Sequence, residues 1–125
     1  MITEDYCSYE VAKLLKEKGF DTFKSYGWDE ELFDKEHPRN FSLGFDSKEH
    51  WISCPTHQMA MKWLREEYGI SIEISALNRY RWVYTIYRLF EERVAEVWND
   101  GTYVSYEGAT DDALKYCLEN LNKLI

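Results

Sequence analysis

The hydrophobic positions of this chain switch between a spacing near 3.6 residues and a spacing of two, and each switch marks an expected element. Val11, Leu14 and Leu15 form the first helical stripe, in a segment running from Tyr9 to Lys18. Ser8 precedes it as an N-cap, Glu10 puts an acid where the helix dipole favours one, and Gly19 follows as a left-handed stop. Phe20 is then placed to fold back on Leu15. A second helix is predicted after Ser53-Cys54-Pro55-Thr56, ending at Tyr68 before Gly69. His57, Ala60, Met61, Leu64 and Tyr68 make its buried face, with Met59 and Trp63 as a second row. The third helix starts at Ser105 and is expected to reach about Leu124, with Ala109, Ala113, Tyr116, Cys117, Leu121 and Leu124 inward. Its opening, Ser105-Tyr106-Glu107-Gly108-Ala109, echoes Ser8-Tyr9-Glu10-Val11-Ala12, which shared capping chemistry or an internal duplication would equally produce.

Strands are predicted between the helices. Ile70, Ile72 and Ile74 alternate with Ser71, Glu73 and Ser75, the pattern of a half-buried strand. Residues 80–90 follow a turn near Asn78, Val94 to Trp98 follow a turn at Glu91 to Arg93, and Asn99-Asp100-Gly101 leads to a short extended piece at Tyr103-Val104. In the N-terminal half, Asp21 to Trp28 and Phe41 to Phe45 read as strands. The acidic stretch from Asp29 and the His37-Pro38 pair mark residues 29–50 as an irregular loop region. The expected fold is a single α+β domain over residues 1–125, ordered α-β-β-α-β-β-β-α. An antiparallel sheet of about four or five strands would carry three helices mainly on one face.

Composition changes this picture at one place. Residues 79–93 hold four of the six arginines and five aromatics in a chain of net charge −8. On a strand, Tyr80, Trp82, Tyr84 and Ile86 extend the face of Ile70, Ile72 and Ile74 and form the expected core wall. Arg79, Arg81, Val83 and Tyr87 then lie on the other face, as a candidate interaction surface. Such a surface suits a protein partner or a second copy of the chain, since Arg and aromatics are enriched at interfaces. It also suits single-stranded nucleic acid, by base stacking, or it is a core strand with Arg at its rim.

The acidic balance excludes wrapping of duplex DNA and disfavours anionic membrane surfaces, because both need an excess of Lys and Arg. It leaves room for an acidic mimic of DNA that inhibits an enzyme. No apolar run approaches the roughly 20 residues that span a bilayer, and the acidic start is unlike a signal peptide, so the chain is expected in the cytoplasm. Cys7, Cys54 and Cys117 are widely spaced thiols, as in a reducing compartment, without the spacing of a zinc site. Cys54 and His57 at a helix start have the types of a nucleophile and its base. No spacing nominates the orienting group or the oxyanion donors that such a pair needs, and a buried or capping His57 is the alternative. No phosphate-binding glycine loop or metalloprotease pattern occurs, and no metal or cofactor is expected. The expected class is a non-enzymatic interaction module.

The stretches Tyr6 to Phe20, Pro55 to Glu66, with its block Pro55-Thr56-His57-Gln58-Met59-Ala60-Met61-Lys62-Trp63-Leu64, and Ala113 to Leu121 resemble a group of small uncharacterised proteins of gut anaerobic bacteria and their phages. The resemblance implies an intracellular origin, with mobile elements as one source, and carries over no catalytic residue.

Overall fold

In the computed structural model, which describes residues 5–31, 34–90, 93–98 and 103–125, Ser8 caps the first helix as its sequence predicts. Its hydroxyl accepts from the Val11 N–H, and helix α1 (Tyr9–Glu17) buries Val11, Ala12 and Leu15. Gly19 adopts φ +106°, which lets the Phe20 N–H return to the Leu15 carbonyl at 2.9 Å and the Gly19 N–H to Lys16 at 3.2 Å. These are the paired bonds of a Schellman stop, and Phe20 is buried beneath them. The chain divides into two compact units, Met1–Thr56 and His57–Ile125.

The first unit packs α1 against a three-stranded antiparallel sheet ordered β2-β1-β3, from β1 (Tyr26–Asp29), β2 (Arg39–Asn40) and β3 (Trp51–Ser53). Trp28 faces Ile52 across β1 and β3, and both enter a core with Ala12 and Cys54. Tyr9 meets Trp28 edge-on at 5.5 Å. Residues before the helix join the same layer, since the Cys7 N–H donates to the Pro55 carbonyl at 3.0 Å and Tyr6 bridges Thr56. Two strand expectations need correction here. The first strand begins at Tyr26 rather than Asp21, and Phe41 to Phe45 is not a strand but a turn, closed by the Phe45 and Asp46 N–H groups on the Ser42 carbonyl. The physical reason is Gly44 at φ +97°, which bends the alternating residues out of line. The region expected to be irregular contains β2 and a 3-10 turn at Lys48–His50.

The second unit is built on β4 (Ile70–Asn78), β5 (Arg81–Phe90) and β6 (Arg93–Trp98), antiparallel and in chain order. Helix α2 (His57–Tyr68) buries His57, Ala60, Met61 and Leu64 of the predicted face and leaves Tyr68 half-buried, and Gly69 at φ +64° turns the chain into β4. Helix α3 (Tyr106–Glu119) packs on β4 and β5, opposite Ile72 and Ile86, which pair across the sheet. α3 stops before the predicted end: Asn120 turns its side-chain amide back to the Tyr116 carbonyl at 2.8 Å, and a short α4 (Leu121–Leu124) follows. A side chain that satisfies the last turn's carbonyl competes with helix continuation.

The α+β class and the antiparallel pairing are as predicted, with the strands divided between two sheets of three. The expected turns at Glu91-Glu92 and Asn99-Asp100-Gly101 lie outside the described residues. No helix among the described residues is long and apolar enough to cross a membrane.

Candidate interaction surfaces

The register of β4 with β5 decides what the Arg-rich segment presents. Ile74 pairs with Tyr84 and Ala76 with Trp82, and the pairing slips by one residue between Ala76 and Asn78. Tyr80 therefore sits in the turn, 68% exposed, not in the core wall. Tyr84 and Ile86 are buried as predicted. On the other face Val83 is only 5% exposed and Thr85 is also buried, so Val83 does not belong to an open interaction surface, and Tyr87 is half-buried. Alternation identifies two faces of a strand, but it does not say whether the second is covered. Of the four predicted surface residues, Arg79 and Arg81 are exposed.

What the hairpin does present is its end. Asn78 Oδ1 accepts the Tyr80 N–H at 2.9 Å, an Asx turn that fixes the two-residue connection. The register slip lifts Leu77 out of the pleat to 57% exposure beside Arg79, Tyr80 and Arg81. Trp82 exchanges backbone bonds with Tyr103 at 2.8 and 3.1 Å, which holds the segment before α3 along the same strand, and Val104 next to it is 78% exposed.

Half-buried polar groups around the buried Tyr84 ring support this end. The Tyr103 hydroxyl donates to the Asp112 carboxylate, and the Tyr84 ring lies 5.9 Å from Tyr103 and 6.4 Å from Tyr116. Burial, and then the Asp112 charge, push the Tyr84 phenol up to about 12, and burial with the Asp112 bond raises that of Tyr103 further. Both stay protonated over the ordinary pH range, which keeps Tyr103 a donor to Asp112. Trp82 packs edge-on against Tyr106 at 5.6 Å, so Tyr80 is the exposed aromatic of the ribbon's described side chains. Among those described side chains no row of open rings for base stacking is formed.

Cys54 and His57 are both buried, and each has its own polar partner. The Cys54 thiol donates to the Cys7 carbonyl at 3.3 Å, and His57 Nε2 lies 3.2 Å from Asp111 Oδ1. His57 Nδ1 is buried without a hydrogen-bond partner. His37 and His50 sit in separate pairs, with Asp34 and Glu31 respectively at 3.1 Å. Among the described residues no three His, Cys, Asp or Glu side chains gather as a metal site.

A second surface, in the first unit, escaped the sequence reading. Arg39 clamps Asp46 with two parallel bonds of 2.7 and 2.5 Å, and the Asp46 carboxylate also accepts the Ser42 N–H at 2.7 Å. The Arg39 bonds hold the Asp46 carboxyl at about 2, below its ordinary 3.8. The loop so fixed raises Leu43 and Phe45 to 88% and 90% exposure. Beside it lies a cleft of about 270 Å³ whose lining includes Lys16, Gly19, Phe20, Phe23, Lys48 and Trp51. Phe41 stacks edge-on against both Phe23 (5.6 Å) and Trp51 (5.1 Å), with Lys48 over the Phe23 ring and Arg39 over Trp51. Lys16 donates to the Trp51 and Glu49 carbonyls at 3.1 and 3.4 Å. The signal available in the sequence was Ser42-Leu43-Gly44-Phe45-Asp46, a turn closed by Ser and Asp around a glycine, which the alternation of Phe41, Leu43 and Phe45 disguised.

Comparison with known protein families, with curated proteins and with solved structures finds no match for this chain.

Proposed function

We propose that this protein is a non-enzymatic interaction module that engages a protein partner through the hairpin end at Leu77, Arg79, Tyr80 and Arg81. One observation carries the reading: a leucine and a tyrosine stand largely in solvent on a turn fixed by Asn78, flanked by two exposed arginines. Tyr and Arg are the side chains most often found to dominate binding at interfaces, and holding them on a short turn lowers the ordering cost of association. The local positive charge on a chain of −8 favours a partner with an acidic rim around an apolar pocket. Three buried free thiols support a reducing, cytoplasmic setting.

The test is quantitative capture by immobilised wild type, Leu77→Ser/Tyr80→Ala, Arg81→Glu and, as a surface control in the other unit, Phe45→Ser. A stoichiometric partner retained by wild type and the control but lost from both hairpin variants is expected. The same captured proteins on all four baits would refute the reading.

A further inference from the structure

Resting on the hairpin reading, we propose that this end of the sheet docks an amphipathic helix laid across its strands, with an acidic residue one turn from an apolar residue on each side. Register puts the receiving residues in one row. Arg81 pairs with Asn78 on β4, and the slip makes Leu77 the extra residue opposite it, so Leu77 and Arg81 share the face turned away from Ala76 and Trp82. On the other side of β5, Trp82 and Tyr103 are antiparallel partners, which brings Val104 opposite Arg81 on that same face. Leu77, Arg81 and Val104 thus stand side by side on three neighbouring segments. Leu77 is 57% exposed, Val104 78%, and Arg81 is exposed between them, whereas Val83, next inward on this face, is buried. Helix α3 leaves the row open, because it packs on the opposite face, where Trp82 meets Tyr106.

Charge and spacing select the occupant. A guanidinium between two apolar side chains is matched by a carboxylate between two apolar side chains, and Arg79 in the adjoining turn adds to the local positive field. Neighbouring strands lie about 4.8 Å apart, so members of the row follow one another at close to one helical turn, about 5.4 Å. A helix crossing the row therefore offers one side chain to each member, from i, from i+3 or i+4, and from i+7. An extended segment repeats a face only about every 6.7 Å and falls out of step with the row. The row is also set before any partner arrives. Asn78 fixes the turn, and the Tyr103 hydroxyl ties the segment carrying Val104 to Asp112 of α3, which lowers the ordering cost of docking.

Selection from a phage-displayed helical scaffold, with the outer face of one helix randomised, tests this on the full chain, using Arg81→Glu as counter-selection. Enriched helices should carry apolar, acidic and apolar residues at i, i+3 or i+4, and i+7. Affinity of an enriched helix, measured by fluorescence anisotropy, should fall at least about tenfold with Leu77→Ser and with Val104→Ser. Both sites are exposed, so the circular dichroism spectrum should not change. A helix whose acid is replaced by Lys should lose binding to wild type and regain it on Arg81→Glu, which a merely structural role for Arg81 would not produce. Binding lost with Leu77→Ser but not with Val104→Ser, or enriched faces without an acid between apolar residues, overturns the docked helix and leaves the hairpin reading standing. So does an absence of enrichment over the Arg81→Glu bait. Partner capture that ignores the hairpin variants removes both.

Discussion

Gly27 is the position where one added methyl group should do the most damage to the first unit. It pairs with Ser53 across β1 and β3, and a Cβ placed on it would lie 2.1 Å from the Ile52 carbonyl oxygen and 3.1 Å from Ile52 C and Ser53 Cα. All three are backbone atoms, so no rotamer change relieves the contact. Bringing the closest distance to an ordinary van der Waals value separates the strands by about 1 Å. The bonds on either side, Cys54 N–H to the Tyr26 carbonyl and Glu30 N–H to the His50 carbonyl, are both 2.8 Å long and would stretch beyond hydrogen-bonding range. Two lost ladder bonds, with their groups left partly unsatisfied in a buried layer, cost about 2–4 kcal/mol. That is a large share of the roughly 5–15 kcal/mol that holds a typical domain. Urea unfolding of Gly27→Ala followed by tryptophan emission reports on the right strands, since Trp28 and Trp51 are buried in β1 and β3. Ser25→Ala, at an exposed neighbouring site, is the control and should stay within about 0.5 kcal/mol of wild type. A Gly27→Ala protein within about 1 kcal/mol of wild type would show that β1 and β3 do not approach as described.

Two further outcomes follow from titrating groups. Asp46 has its folded pKa lowered to about 2 from 3.8, so its contribution is whole above about pH 4 and is lost as the pH falls through 2. Asp46→Asn should therefore flatten the acid limb of the stability curve measured by urea titration, and an unchanged limb would remove the clamp from the account. Burial pushes the Cys117 thiol up to about 12 from 9.0, which leaves about a thousandfold less thiolate at neutral pH. Iodoacetamide with mass detection should label Cys117 in denaturant and leave it unmodified in the folded chain, where prompt native labelling would contradict its burial on the inner face of α3.

Sequence legibility followed the strength of local chemistry. The Ser8 and Ser105 caps, the Gly19 and Gly69 stops and the Ala60, Met61, Leu64 stripe were readable because each depends on contacts within a few residues. Trp51 to Ser53 was missed, since three residues are too few to show a period, and its partner β1 lies more than twenty residues away. The hairpin failed more instructively. Its strands were found, but a single-residue slip near Leu77 moved Tyr80 from the core to the turn, and nothing in the spacing of residues 80–90 announces that slip. Val83 was misplaced for a different reason, because coverage of a second sheet face is a tertiary fact. The loop at Leu43 and Phe45 depends on Arg39 meeting Asp46 seven residues on, a pairing that composition alone does not reveal.

The slip at Leu77 also bears on how the chain avoids its own kind. β4 is the outer strand of its sheet among the described residues, and a long straight outer strand is a template on which other chains polymerise. Here the irregularity falls in the last third of β4, after the exposed carboxylate of Glu73, so the run of regular backbone that a foreign strand could copy is short and carries a charge. The distortion that lifts Leu77 into solvent thus also guards the edge against amyloid-like growth.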